Sequence, residues 1–134
     1  MSDYMAEDVC AQPPSPTLLA AIRQFNAGAY FTCHETLEEL WLTEDLPLRW
    51  FYQGLLQIAV GLNHLRRGNE RGGVSLLRSG GNLVRPFAPA CLAIDVAALL
   101  AGVDQVLANL SAQGLERTQA AADQLFPQIA LIEH

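Results

Sequence analysis

Apolar residues recur along most of the chain at steps of three and four, the spacing of one helix face, and polar or turn-forming residues break the runs apart. The clearest seam is Phe51, Leu55, Ile58, Leu62 and Leu65, within a helix predicted over about 47–67 and about 30 Å long. No Asp, Glu, Lys or Arg stands between Phe51 and Leu65, so this helix is expected to be surrounded by others. Before it, Ser15 and Pro16 read as a cap and first position of a helix to about Asn26, Gly28 ends that helix, and a second follows over about 29–43. After it, Gly68 and Asn69 make a break, and Asn69 caps a helix to about Val84 that holds Gly72, Gly73, Gly80 and Gly81. Each interior glycine costs up to about 1 kcal/mol against alanine, which implies close backbone packing or a frayed element.

Pro86 and Pro89 mark the next connection. Asp95 then caps an amphipathic helix carrying Val96, Leu99, Leu100, Val103, Val106, Leu107 and Leu110, and a shorter helix spans about 115–126. No strand alternation is legible, so the expected fold is all-α: a single-domain bundle of five or six helices built from αα-hairpins. Residues 1–14 read as a mobile leader, 15–127 as the helical domain and 128–134 as a tail. Phe25, Gly28, Cys33 and Leu37 align at constant offset with Leu65, Gly68, Gly73 and Leu77, a weak sign of two similar hairpins of the kind that stack in helical-repeat proteins.

Composition narrows the function classes. With 134 residues, 51% of them hydrophobic and 16% charged, the chain suits one compact domain. Arginine supplies all 8 cationic side chains against 14 acidic ones, and the net charge of -6 repels a phosphate backbone, which argues against general nucleic-acid binding. Cys10, Cys33 and Cys91 form no CxxC pair, so unpaired thiols in a reducing compartment are expected, with Cys33 and Cys91 as small core residues. The acidic start and the lack of an uninterrupted apolar run of about 20 residues lead to the expectation of a cytoplasmic protein with no membrane contact. Self-association of identical copies stays open.

The segment Phe25–Trp41 carries the candidate chemistry. On a helical wheel Tyr30, Phe31, His34, Leu37, Glu38 and Trp41 share one face, with Glu35 at its border. A carboxylate among such neighbours needs a proton, an ion pair or hydrogen bonds, and His34 stands one turn before Glu38. On the central helix Gln53, Gln57 and His64 form a neutral polar stripe. The expected site is therefore a pocket between the second and third helices, walled by Tyr30, Trp41 and Trp50 and lined by His34, Glu38, Gln53, Gln57 and His64.

Several readings compete for this cluster. His34, Glu38 and His64 could ligate Zn, Mn or Fe, although HETLE lacks the second histidine of HExxH and no pair of ExxH motifs is present. A small-molecule pocket could use a desolvated Glu38 as general base, with His34 or His64 as proton partner. The cluster could also be a structural hydrogen-bond network inside a protein-interaction module. Separately, Arg66, Arg67, Arg71, Arg78 and Arg85 crowd around Asn69, where a small anion could dock at the helix start.

These residues resemble the family called domain of unknown function 309, through FNAGAYFTCHETLEELW at Phe25–Trp41, GLLQIAVGLNHLRRGNERGGVSLL ending at Leu77, and the Pro89–Asp95 turn. The resemblance covers about residues 22–110 and rests most on His34, Glu35, Glu38, Trp41, Gln57, His64, Gly68 and Asn69. Gly72, Gly73, Gly80 and Gly81 depart from it, standing where the family commonly has alanine. It implies a small all-helical domain, uncharacterised in function, and Tyr30, Glu35, Trp50, Gln53 and Asn69 complete the candidate ligand-binding set.

Overall fold

A computed structural model describes residues 9–132; residues 1–8 of the expected leader and residues 133–134 lie outside the described residues. The described residues contain seven α-helices: α1 (Pro16–Asn26), α2 (Tyr30–Thr43), α3 (Leu48–Arg66), α4 (Glu70–Val84), α5 (Val96–Gln113), α6 (Leu115–Ala120) and α7 (Ala122–Leu125). The all-α class is as expected. The count exceeds five or six because the last predicted helix divides at Ala121. α6 buries Thr118, whose hydroxyl donates to the Gly114 carbonyl at 2.7 Å and accepts from Asn109 Nδ2 at 2.9 Å. α7 then turns Phe126 toward Tyr30, with ring centroids 6.4 Å apart.

Three of the helix starts follow the local capping rule. Ser15 Oγ accepts from Leu18 N at 3.1 Å, Asn69 Oδ1 from Gly72 N at 3.0 Å, and Asp95 Oδ1 from Ala98 N at 2.9 Å. The chain folds as successive antiparallel hairpins, and its most extensive interface joins α3 to α4, followed by α2 with α3 and α1 with α2. As its lack of charge requires, α3 is central: Phe51, Leu55, Ile58, Ala59, Leu62 and Leu65 are all buried.

The glycines of α4 explain that interface. Gly54 and Gly61 of α3 lie against Gly80 and Gly73 of α4, two crossings one heptad apart. A methyl group on Gly80 would stand 2.7 Å from the Gly54 carbonyl oxygen, and one on Gly61 would stand 3.1 Å from the Gly73 carbonyl oxygen. The helix is not frayed; its glycines let two backbones touch.

A short two-stranded antiparallel ribbon, β1 (Ala90–Cys91) and β2 (Ile94–Asp95), corrects the expectation of no strand. Its two-residue turn places Leu92 and Ala93 at φ 49° and 64°, a left-handed conformation that sequences normally assign to Asn or Gly. The turn is imposed from outside: Leu92 N donates to the Cys10 carbonyl at 2.9 Å, and Ile132 N to the Ala93 carbonyl at 2.7 Å. The expectation of unpaired thiols is corrected here as well. Cys91 is not a plain core residue but forms a disulfide with Cys10. Both ends of the described chain are thereby sewn to the ribbon, with Asp95 N donating to the Ala130 carbonyl at 2.9 Å.

α5 reaches the length and mean hydropathy of a membrane span, although Asp104 and Gln105 interrupt its apolar run. Its Val96, Leu99, Leu100, Val103, Val106 and Leu110 are buried in the core.

Cys33 is wholly buried, and desolvation pushes its thiol up to about 12 from an ordinary 9.0. Tyr52 is also raised to about 12 from 10.0, by burial and then by the nearby Glu44. Unfolded, these groups ionise at their ordinary values while the folded protein keeps the proton, so above about pH 9 the unfolded state binds fewer protons and stability falls with rising pH. The urea midpoint is expected to drop between about pH 9 and 11, with Cys33→Ala shallower than the parent over that range. Superimposable pH profiles for the two proteins would remove this assignment.

Candidate functional site

The core side of α2 is set by Tyr30, Cys33 and Leu37, which are buried at helical spacing. His34 and Trp41 flank that side, while Glu38 and Phe31 fall well outside it. His34 is 28% exposed and Glu38 52%, and His34 Nε2 stands 3.8 Å from Glu38 Oε2, an open surface pair. Glu38 was expected inside a greasy pocket; half of its side chain is in water, so the desolvation a general base would need there is missing. Glu35 is exposed too.

On α3, Gln53, Gln57 and His64 are half-buried, as is Trp41 across from them, and Trp50 is exposed. His64 belongs to the next turn: Asn69 Nδ2 lies 3.4 Å from His64 Nδ1, and Asn69 N donates to the His64 carbonyl at 2.8 Å. The reason is axial position. Helical angle puts His64 in line with Gln57, but His64 lies in the last turn of α3, where its ring meets the α3–α4 connection. Asn69 in turn spends its side-chain oxygen on capping α4. Among the described residues no three His, Cys, Asp or Glu side chains gather closely enough to hold a metal ion, so the expected triad His34, Glu38 and His64 is not assembled.

The α2–α3 face is an open surface with a mixed character. The Arg49 guanidinium lies 4.6 Å over the Trp41 ring. Trp41 Nε1 and Gln57 Oε1 are buried with no hydrogen-bond partner among the described residues. Phe31 and Leu42 are each 62% exposed, Leu46 58% and Trp50 46%. These are four of the six large hydrophobic side chains exposed among the described residues, and all four lie on α2, its following turn or the start of α3. The sequence pattern predicts Trp50 as a pocket wall and Phe31 on the same face as His34; an aromatic residue at helical spacing gives no sign of whether a neighbour covers it.

The arginines do not converge on the Asn69 helix start. Arg71 borders an open surface with Val74 and Ser75, while Arg78 and Arg85 border a cleft between α4 and α5 that also contains Asp104. Arg66 turns the other way and stacks 4.8 Å over the Tyr30 ring. Of the expected site residues, Tyr30 lines a cleft of about 160 Å³ where the α1–α2 turn meets α7. Asn26 is a further residue with no sequence signal. Its side-chain oxygen accepts from Ile129 N at 2.7 Å and its Nδ2 donates to the Ile129 carbonyl at 3.0 Å, clipping the C-terminal segment to the end of α1.

Residues 18–76 match the profile of a family described as a domain of unknown function, DUF309, which ends within α4 rather than extending to residue 110. An uncharacterized protein of Aquifex aeolicus strain VF5 is 31% identical over 55 residues, 40% of this chain and 16% of that protein. The uncharacterized protein YpuF of Bacillus subtilis strain 168 is 46% identical over 50 residues, 36% of this chain and 28% of YpuF. The chain thus aligns with less than a third of the length of these curated relatives.

Proposed function

We propose that the α2–α3 hairpin of this chain, whose residues 18–76 match the DUF309 profile, is a docking face for a basic, apolar-anchored segment of a partner protein. The observation that carries this reading is the gathering of exposed Phe31, Leu42, Leu46 and Trp50 on one hairpin. Exposed apolar groups concentrated in this way are characteristic of recognition surfaces, and tryptophan and arginine are common anchors within them. The sign of the partner follows from charge. Glu35, Glu38, Glu39, Glu44 and Asp45 lie on the same hairpin, and no Lys or Arg occurs between Tyr30 and Arg49. A partner bearing Lys or Arg beside its apolar anchors is drawn to this face, and an acidic one is repelled.

A small polar ligand is the second reading, supported by Trp41 Nε1 and Gln57 Oε1, a donor and an acceptor with no partner among the described residues. Both readings describe binding and neither needs catalysis. Selection from a random peptide library on the folded domain, with Trp50→Ala as counter-selection, separates them. The expected consensus pairs Leu or Trp with Lys or Arg, binds at least tenfold more weakly to Trp50→Ala, and weakens as salt is raised. An acidic consensus, or binders indifferent to Trp50, would sink the docking reading.

A further inference from the structure

The cleft between the α1–α2 turn and α7 lies apart from the docking face and has its own chemistry. It is lined by Tyr30, Arg66 and Asp123 together with Asn26, Gly28 and Phe126. We propose that it binds a small amino-carboxylate zwitterion, of which a free α-amino acid is the simplest, with the carboxylate on Arg66 and the ammonium on Asp123. The argument begins with what these two charges do not do. Both line one cleft, yet the sole ion pair among the described residues is His34 with Glu38, so Arg66 and Asp123 stand more than 4.0 Å apart with space between them.

Arg66 is positioned rather than loose. Its guanidinium stacks 4.8 Å over Tyr30, and its NH2 donates to Asn63 Oδ1 at 3.4 Å, a long bond to a neutral group that leaves its charge uncompensated. Gly28, at φ +76°, keeps the space beside it open, since a Cβ there would stand 3.2 Å from Arg66 NH1. Both charges are felt at the Tyr30 hydroxyl: its pKa is raised chiefly by burial, with Arg66 lowering it and Asp123 raising it. The wall is aromatic, with Phe25 edge-on to Tyr30 at 5.5 Å and Phe126 at 6.4 Å. A guanidinium for a carboxylate, a carboxylate for an ammonium and an apolar wall for the carbon skeleton are the complement of an amino acid. Either charge alone would serve a simple ion; the unpaired opposition selects a molecule bearing both.

Isotope-labelled protein titrated with α-, β- and γ-amino carboxylates, and separately with acetate and methylammonium, tests this. At least one amino carboxylate is expected to shift the signals of Gly28, Tyr30 and Asp123 and to bind at least tenfold more tightly than either single ion. The preferred chain length reads the gap between the charges. Asp123→Asn and Arg66→Gln are each expected to weaken that binding at least tenfold, with Trp50→Ala leaving it unchanged. Asp123 is exposed and makes no hydrogen bond through its side chain to another described residue, so its variant is expected to retain the parent melting temperature and keep the test independent of folding. Equal binding of acetate, insensitivity to Asp123→Asn, or no binding of any amino carboxylate at millimolar concentration would overturn the proposal.

Discussion

Gly80→Ala is expected to destabilise the domain by about 2–3 kcal/mol, and Gly81→Ala, one residue along the same helix, to stabilise it by about 0.5–1 kcal/mol. Alanine is the better helix former at both positions, so propensity alone gives the two changes the same sign. Packing separates them. At Gly80 the new methyl would meet the Gly54 carbonyl oxygen at 2.7 Å and the Ile58 amide nitrogen at 2.9 Å. Those are backbone atoms of a buried helix, which can yield only if α3 and α4 move apart and open their interface. At Gly81 the nearest atom is Leu100 Cδ2 at 3.8 Å, an ordinary apolar contact. Urea unfolding of the two variants beside the parent checks the contrast, and a neutral Gly80→Ala would mean that the helices do not touch there. Gly54→Ala is the reciprocal change, with Val84 Cγ1 at 2.6 Å and the Gly80 carbonyl at 2.9 Å, and shares the expected sign.

Reduction of the Cys10–Cys91 disulfide is expected to lower stability by about 2–4 kcal/mol, because the bond joins positions 81 residues apart and restricts the unfolded chain. More than chain entropy is at stake locally. The Cys10 carbonyl accepts from Leu92 N, and Val9 and Cys10 pack against the core, so releasing Cys10 frees one support of a turn whose Leu92 and Ala93 sit in the left-handed region. Thermal unfolding with and without reductant measures the effect, and the Cys10→Ser, Cys91→Ser double variant should match the reduced parent under both conditions. Thiol titration of the oxidised native protein should find Cys33 unreactive, since it is fully buried and its thiol is held protonated. Equal melting of oxidised and reduced protein would refute the role given to the bond.

The candidate site shows how far a helical wheel carries. It orders residues by angle, and on that basis sets His34, Glu38 and Trp41 on one side of α2 and Gln53 with Gln57 on one side of α3. It does not say which angle meets the neighbouring helix. Taking Phe31 and Trp41 as the inner side put Glu38 inside, whereas Cys33 and Leu37 define the core and leave Phe31 and Glu38 in water. Hydrophobicity marks a residue able to be buried, and coverage is decided by what else packs there. Arg66 is the complementary case: among five arginines near Asn69 nothing local singles out the one that crosses to Tyr30.

By itself the amino-acid order determined the helices, their caps at Ser15, Asn69 and Asp95, and the central place of α3, because capping and amphipathic periodicity act over a few residues. Only the tertiary structure decided the ribbon at Ala90–Asp95, the partner of Cys10, the Asn26 clip on Ile129, the contact of Gly54 with Gly80, and which side of α2 faces solvent. Each of these joins residues distant in sequence. Such pairings arise from the whole chain's competition to bury apolar surface and satisfy its backbone, and no short window of residues contains that competition.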